Sequence, residues 1–184
     1  MKVEEKNDDC LFSMNYEDLG HLKNVKMPEI SLPNQEGNLL KLNRSDTFRL
    51  VLYCFPMTGR PDRSLPPNWN SIAGAKGCTS QNISFRDNYD KFIILNSIPI
   101  GISTQPIGDL KELVTRLNIP YDILSDINLE FKKILNLPTF SINEKSYLKR
   151  LTLIIEKSVI KKIFYPINNP NKHVIDVLEW LKLN

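Results

Sequence analysis

Residues 50–55 read Leu-Val-Leu-Tyr-Cys-Phe, and residues 77–81 read Gly-Cys-Thr-Ser-Gln after a proline-rich interruption. The first stretch is almost continuously apolar, which is typical of a strand buried on both faces. The second predicts a cysteine where a loop becomes a helix, beside unpaired backbone N–H groups and the positive end of the helix dipole. That setting favours the thiolate, the reactive form of cysteine, so the pattern predicts a cysteine-based redox protein.

The composition is that of one soluble globular domain, with 184 residues of which 41% are hydrophobic and 24% charged. The 24 basic and 21 acidic side chains give a net charge of +3, and no basic block is interleaved with aromatic residues. Nucleic-acid binding is therefore not expected. The charged N-terminus has no apolar segment behind it, and no run approaches the roughly 18 apolar residues of a membrane span.

The three cysteines, Cys10, Cys54 and Cys78, form no CxxC pair. A set that is both odd and sparse is neither a disulfide framework nor a four-ligand zinc pattern, and we expect no metal and no organic cofactor. A reducing, cytoplasmic compartment is the predicted location.

Two regions are predicted, a polar and loosely held N-terminal arm over residues 1–27 and a single domain over residues 28–184. One helical segment is predicted within the arm, at residues 16–22. The domain begins with a β-hairpin, because the strand-like stretches 28–33 and 39–42 flank a turn rich in asparagine and glycine.

Hydrophobic periodicity predicts the remaining elements of the domain. The predicted strands cover residues 50–55, 99–103, 121–124, 151–155 and 159–165, and the predicted helices cover residues 77–95, 109–117, 129–135 and 172–183. In the first of these helices we expect four side chains to be buried, namely Ile83, Tyr89, Phe92 and Ile93. Alternating strands and helices, followed by a hairpin and a closing helix, predict an α/β fold with a central mixed sheet flanked by helices.

Several short motifs occur in a fixed order between residue 28 and the C-terminus. They are Tyr53-Cys54-Phe55-Pro56, Gly77-Cys78-Thr79-x-Gln81, Phe85-Arg86-Asp87, Gly101-Ile102-Ser103, Leu124-Ser125-Asp126, Leu137-Pro138-Thr139 and Arg150-Leu151-Thr152-Leu153. In this order the chain resembles the peroxiredoxins of the peroxiredoxin Q, or bacterioferritin-comigratory, type. The resemblance implies a thioredoxin-like fold and the reduction of hydrogen peroxide or organic hydroperoxides by a peroxidatic cysteine.

The resemblance assigns Cys78 as the nucleophile that becomes a sulfenic acid, Arg150 as the guanidinium over it, and Gln81 as the residue that fixes the arginine. An ordinary cysteine is already partly ionised, so complete deprotonation gains only about thirtyfold at pH 7. Most of the acceleration must therefore come from donors aimed at the peroxide oxygens. The implied reductant is a thiol such as thioredoxin, glutaredoxin or glutathione, and the implied assembly is a monomer or a homodimer.

The sequence departs from the family pattern in two places. The family has a threonine three residues before the cysteine, whereas this chain has Ala75 there. Thr58 looks like the front of the motif displaced by an insertion, and it is the candidate catalytic residue that could fold back and restore the missing hydroxyl. Many members also carry a resolving cysteine five residues after the first, where this chain has Ile83. A one-cysteine cycle, or resolution by Cys10 or Cys54, is left open.

Several of these residues also have a simpler, purely structural interpretation. Cys54 is expected to be core packing, Cys10 to be an incidental surface thiol, and His173 to be a surface or packing residue. The loop around Trp69 is a lid, a partner contact or a passive cover. For the whole chain, the alternatives to a peroxidase are a thioredoxin-fold binding or regulatory protein, and a redox sensor.

Overall fold

A computed structural model describes residues 18–44 and 47–184 of the chain. Its strands are β1 (Ser31–Pro33), β2 (Leu39–Lys41), β3 (Arg49–Cys54), β4 (Ser97–Ser103), β5 (Ile123–Ser125), β6 (Thr139–Ile142), β7 (Lys145–Leu148), β8 (Leu151–Glu156) and β9 (Val159–Phe164). Its α-helices are α1 (Cys78–Asp87), α2 (Tyr89–Ile94), α3 (Ile107–Leu117), α4 (Glu130–Leu135) and α5 (His173–Leu183). No helix within these residues is long and apolar enough to cross a membrane.

The centre of the fold is a mixed sheet with the strand order β5-β4-β3-β8-β9. Strands β3, β4 and β5 run parallel, whereas β8 and β9 are antiparallel to their neighbours. The predicted α/β fold with a central mixed sheet is thus confirmed. The predicted N-terminal hairpin is confirmed as well, since β1 pairs with β2 around a turn in which Gly37 has a φ of +85°.

Side chains of β3 alternate between two hydrophobic cores because successive residues of a strand point to opposite faces of a sheet. Leu52 and Cys54 enter the first core, which α4 and the segment from Leu19 to Leu42 cover. Tyr53 enters the second core, which α1, α2, α3 and α5 cover. We call these two sides of the sheet the α4 face and the α1 face.

The helix predicted over residues 77–95 is in fact two helices. The backbone leaves the helical region at Asn88, where φ is −109° and ψ is 13°, and the Asn88 side chain donates to the carbonyl of Ser84. The break turns the second helix so that Phe92 is buried but Ile93 is 38% exposed. The expected burial of Ile93 was wrong because it assumed one continuous helical stripe.

The N-terminal arm is not loosely held over residues 18–27. Leu22 and Met27 are buried in the core of the α4 face, and the Met27 N–H donates to the Ser158 carbonyl at the β8–β9 turn. In the described part of the predicted helical segment, residues 18–22, there is one 3-10 turn at Gly20–Leu22. Cys10 and the rest of the arm, residues 1–17, lie outside the described residues.

Strands β6 and β7 form a hairpin that the sequence analysis missed. Its turn residues, Asn143 and Glu144, have φ values of 47° and 63°. Trp69, in a 3-10 turn of the long proline-rich loop, packs against Phe140 and Tyr147 of this hairpin at ring-centroid distances of 5.9 and 5.1 Å. The loop is therefore fastened to the hairpin.

Candidate active site

Cys78 is the first residue of α1, and the structure confirms its place where a loop becomes a helix. The residue before it, Gly77, has a φ of +92°, and a Cβ at that position would lie 2.5 Å from Cγ of Pro170. Only glycine suits such a position, so the entry to the helix is tightly specified. The Cys78 side chain is 3% exposed, and its Sγ lies 3.4 Å from the Ala75 carbonyl oxygen.

Arg150, between β7 and β8, reaches the sulfur. Its Nη2 lies 3.4 Å from Cys78 Sγ and donates to the carbonyls of Lys76 at 2.8 Å and Gly74 at 3.2 Å. Its Nη1 donates to the Gln81 side-chain oxygen. The structure therefore brings together Cys78, Gln81 and Arg150, although Arg150 and Cys78 are far apart in the sequence.

Two buried donors in this cluster have no acceptor among the described residues. They are Nε of Arg150 and Nε2 of Gln81. A buried donor without a partner carries a desolvation cost of about 1–3 kcal/mol, which an oxygen-bearing ligand would relieve. Both donors are shielded from solvent in this structure, so a ligand oxygen reaches them only when neighbouring side chains move.

A cavity of about 350 Å³ adjoins Arg150, whereas Cys78 and Gln81 are not among the residues that line it. Arg150, Ser80 and two glycines, Gly74 and Gly77, form part of its lining. The rest consists of one cation, two amides and three apolar side chains, namely Lys76, Asn168, Asn171, Ile72, Ile167 and Pro170. The cavity is large enough for a small molecule to approach the guanidinium.

Thr58 does not supply a hydroxyl to this cluster. It is buried, its N–H and its hydroxyl both donate to Oε1 of Gln105, and Nε2 of Gln105 donates back to its carbonyl. No hydrogen bond joins Thr58 to Cys78 within the part of the chain that the structure describes. Ala75, at the position of the family's threonine, is buried beside Trp69 instead.

Cys54 lies on the other side of the sheet from Cys78. Cys54 belongs to the core of the α4 face and Cys78 to that of the α1 face, and both thiols are free. Burial, together with the Asp126 carboxylate, raises the pKa of the Cys54 thiol. With the sheet between them, the two sulfurs cannot meet while the fold is intact, so Cys54 is not placed to resolve Cys78.

His173 is a buried neighbour of this site that the sequence analysis left among surface or packing residues. Its Nε2 lies 2.9 Å from the Thr152 hydroxyl, and its ring packs against Phe85 and Phe164. Burial, and to a lesser degree the Arg150 charge, lower its pKa to about 4. The available signal was helical spacing, because residue 173 lies four positions before Val177 on the buried stripe of α5.

Comparison with known proteins gives a consistent picture. The model of the AhpC/TSA family matches residues 69–163. The chloroplastic peroxiredoxin Q of Arabidopsis thaliana is 28% identical over 163 residues, covering 87% of this chain and 67% of that protein. The corresponding protein of Populus jackii is 26% identical over 158 residues, covering 84% of this chain and 65% of that protein. The chain thus spans about two thirds of the length of these relatives.

Solved structures show the same fold. Peroxidoxin BcpB from Mycobacterium tuberculosis superposes with a TM-score of 0.71 at 20% identity, covering 88% of this chain and 96% of that one. A PrxQ mutant from Xylella fastidiosa gives a TM-score of 0.70 at 15% identity, with coverages of 88% and 95%. A Xanthomonas campestris bacterioferritin comigratory protein, described in terms of alkyl peroxide reduction, gives 0.68 at 15% identity, with coverages of 88% and 98%.

Proposed function

The chain belongs to the AhpC/TSA family as a peroxiredoxin of the peroxiredoxin Q type, and we propose that it is a thiol-dependent peroxidase that uses Cys78. Its substrates are hydrogen peroxide or organic hydroperoxides. The observation that carries the proposal is the distance of 3.4 Å between Arg150 Nη2 and Cys78 Sγ. The guanidinium is held there by Gln81 and by two backbone carbonyls, so it is in place before any substrate arrives.

In the proposed reaction the Cys78 thiolate attacks one peroxide oxygen. The sulfur–oxygen bond forms as the oxygen–oxygen bond breaks, and the leaving oxygen departs as hydroxide or alkoxide and takes up a proton. Negative charge grows on that oxygen during the step. The N–H donors of the Arg150 guanidinium, whose Nη2 lies 3.4 Å from Cys78 Sγ, are the groups placed to stabilise it.

These donors have to supply most of the acceleration. Complete ionisation of an ordinary cysteine gains only about thirtyfold at pH 7. One preorganised donor at a developing oxyanion is worth about 10²–10³ in rate. This chain has Ala75 in place of the family's threonine, but it keeps the Arg150 donors over the sulfur. The loss of the threonine therefore does not favour a protein that only binds.

We further propose that an external thiol regenerates Cys78. The thiol attacks the sulfenic acid, forming a mixed disulfide and water, and a second thiol then releases the reduced cysteine. Cys54 is on the opposite face of the sheet, and Ile83 occupies the position of the family's second cysteine. Thioredoxin, glutaredoxin and glutathione all have the required chemistry, and Cys10 stays a predicted alternative.

A reducing compartment such as the cytoplasm belongs to the same proposal, because the cycle needs a supply of reduced thiols. A monomer or a homodimer stays a prediction.

The test is to mix the pure protein with hydrogen peroxide and to trap sulfenic acid, locating it by peptide mass spectrometry. We expect one equivalent of sulfenic acid at Cys78, formed far faster than at a free thiol. Cys78→Ser should abolish it, and Cys54→Ala, the matched control, should leave it unchanged. Oxidation no faster than that of a free thiol would contradict the proposal. Rapid oxidation that no thiol reductant reverses would instead indicate a redox sensor.

A further inference from the structure

Strand β9 lies at one edge of the central sheet, and only the first half of its outer side is covered. Residues 24–26 run antiparallel to that half. The Ile160 N–H donates to the Val25 carbonyl, and the Ile160 carbonyl accepts from the Asn24 N–H. Among the described residues, no segment pairs with residues 161–164 on that side. This second half is an open edge, whose backbone N–H and C=O groups can bind an extended segment.

A groove of about 720 Å³ lies beside the open edge. Its lining includes residues 161–163 of β9, Trp180 of α5 and residues 18–20. Residue 18 is the first residue that the structure describes. Because residue 17 is joined to the lining itself, no linker separates residues 1–17 from the groove.

The groove carries a positive charge. The side chains that line it include three cations, Lys23, Lys161 and Lys162, and one carboxylate, Asp18. None of the three lysines forms an ion pair with another described residue. The Asp18 carboxylate instead accepts the Gly20 N–H at 2.8 Å. This charge gives the groove a preference for an acidic segment.

The sequence of residues 1–17 matches the groove, although the structure describes none of them. Residues 4–9 read Glu-Glu-Lys-Asn-Asp-Asp, with four acidic side chains and one basic side chain. Residues 10–14 read Cys-Leu-Phe-Ser-Met, and four of these five are hydrophobic. The groove offers its lysines to the first stretch and the side chains of Ile163 and Trp180 to the second.

We propose that residues 4–14 bind this groove and add to the open edge of β9 as an extended segment. Residues 24–26 already pair with the first half of the same edge, so the segment continues a pairing that the chain has begun. Its attachment at residue 18 raises its effective concentration to the millimolar range, so a weak intrinsic affinity is enough. This binding is independent of the chemistry proposed for Cys78.

The test is backbone hydrogen exchange in the full chain, measured by NMR at residues 161–164. Those amides of the open edge that face away from β8 should be protected in the wild type. Exchange should become at least about tenfold faster when the acidic side chains of the segment are neutralised, in the variant Glu4→Gln, Glu5→Gln, Asp8→Asn and Asp9→Asn. Equal exchange in the two proteins would overturn the proposal.

Substitutions in the groove provide a matched pair. Lys161→Glu should accelerate the same exchange, whereas Lys145→Glu, which reverses an exposed lysine of β7, should not. Adding Asp8→Lys and Asp9→Lys to Lys161→Glu should restore protection, because the charges on the two sides of the contact have then been exchanged. A combined variant that exchanges as fast as Lys161→Glu alone would refute the proposed contact.

Dilution identifies the occupant of the groove. Protection by the chain's own segment does not depend on protein concentration, whereas protection by the segment of a second copy falls on dilution. Protection that is lost on dilution would therefore also overturn the proposal. Because the assay uses no peroxide, a failure of the proposed peroxidase activity would be seen separately, in the sulfenic-acid experiment.

Discussion

Cys54 and Cys78 are both buried and both free, and they lie on opposite faces of the same sheet. Cys54 is surrounded by aliphatic side chains, and burial raises its pKa. Cys78 has a guanidinium nitrogen 3.4 Å from its sulfur and two unpaired donors nearby. The difference teaches that two buried thiols of one sheet can have opposite surroundings. The role that we propose for Cys78 depends on the donor within reach of its sulfur.

The largest expected effect comes from removing the guanidinium. Arg150→Met should lower the rate constant for oxidation of Cys78 by hydrogen peroxide by about 10²–10³, the usual cost of losing an oxyanion donor. Stopped-flow oxidation followed by mass spectrometry measures it. Arg150→Lys keeps the charge but not the planar fork, so its oxidation rate constant should lie between those of the wild type and of Arg150→Met. A loss of less than about tenfold in Arg150→Met would remove the distinction between the two thiols.

The second-largest expected effect is a pH dependence of stability that arises from His173, which packs against Phe85 of the α1 face. The pKa of His173 falls from 6.5 to about 4 on folding, so the unfolded chain binds more protons between these values. The contribution of the buried, neutral His173 to the free energy of unfolding should therefore be complete above pH 6.5. It should be lost as the pH drops toward 4, which lowers the free energy of unfolding by on the order of 3 kcal/mol.

Urea unfolding of the wild type and of His173→Gln, at pH 7 and at pH 5, tests this. The stability difference between the two proteins should shrink as the pH falls, since the glutamine does not titrate. A stability difference between the two proteins that is the same at pH 7 and at pH 5 would show that the histidine is not buried in its neutral form.

A third prediction compares the same substitution at both cysteines. Cys54→Ser places a hydroxyl among aliphatic side chains and should cost about 1–3 kcal/mol of unfolding free energy. Cys78→Ser should cost less, because its hydroxyl finds Arg150 and the Ala75 carbonyl. Urea unfolding measures both, with Cys54→Ala as the control for lost volume. Equal costs at the two positions would contradict the difference in polar surroundings.

The smallest effect is expected at Thr58. Its hydroxyl donates to Gln105, so Thr58→Val should change the rate of Cys78 oxidation by less than about tenfold. The same peroxide assay measures it, and Thr58→Ser serves as the variant that keeps the hydroxyl. A loss as large as that of Arg150→Met would mean that Thr58 turns toward the sulfur when substrate binds.

The central sheet could be predicted from the sequence because each strand is a short apolar run between clear turn residues. The closing helix was predicted because Val174, Val177, Leu178 and Leu181 repeat at helical spacing, and all four are buried. Such local patterns do not reveal the break at Asn88. That break involves the Asn88 side chain, which donates to the Ser84 carbonyl one turn earlier, and hydrophobic periodicity carries no information about such a polar contact.

Of the candidate site, the cysteine could be found from its local surroundings, whereas Arg150 needed the family resemblance. Arginine beside a lysine at the start of a strand is ordinary surface charge, and only the fold shows that this one is 4% exposed. The sequence left the place of Thr58 open because it does not show that Gln105 binds this residue.

The long insertion before α1 is fastened on both sides of an exposed stretch, residues 61–65. Arg60 pairs with Asp109 of α3 at 3.0 Å on one side, and Trp69 packs on the β6–β7 hairpin on the other. A protease that cuts after Arg63 would therefore leave two fragments that stay associated, with the sulfur and its guanidinium undisturbed. Residues 61–65 are therefore a position at which the chain could be cut and its two fragments reassembled, or at which another domain could be inserted.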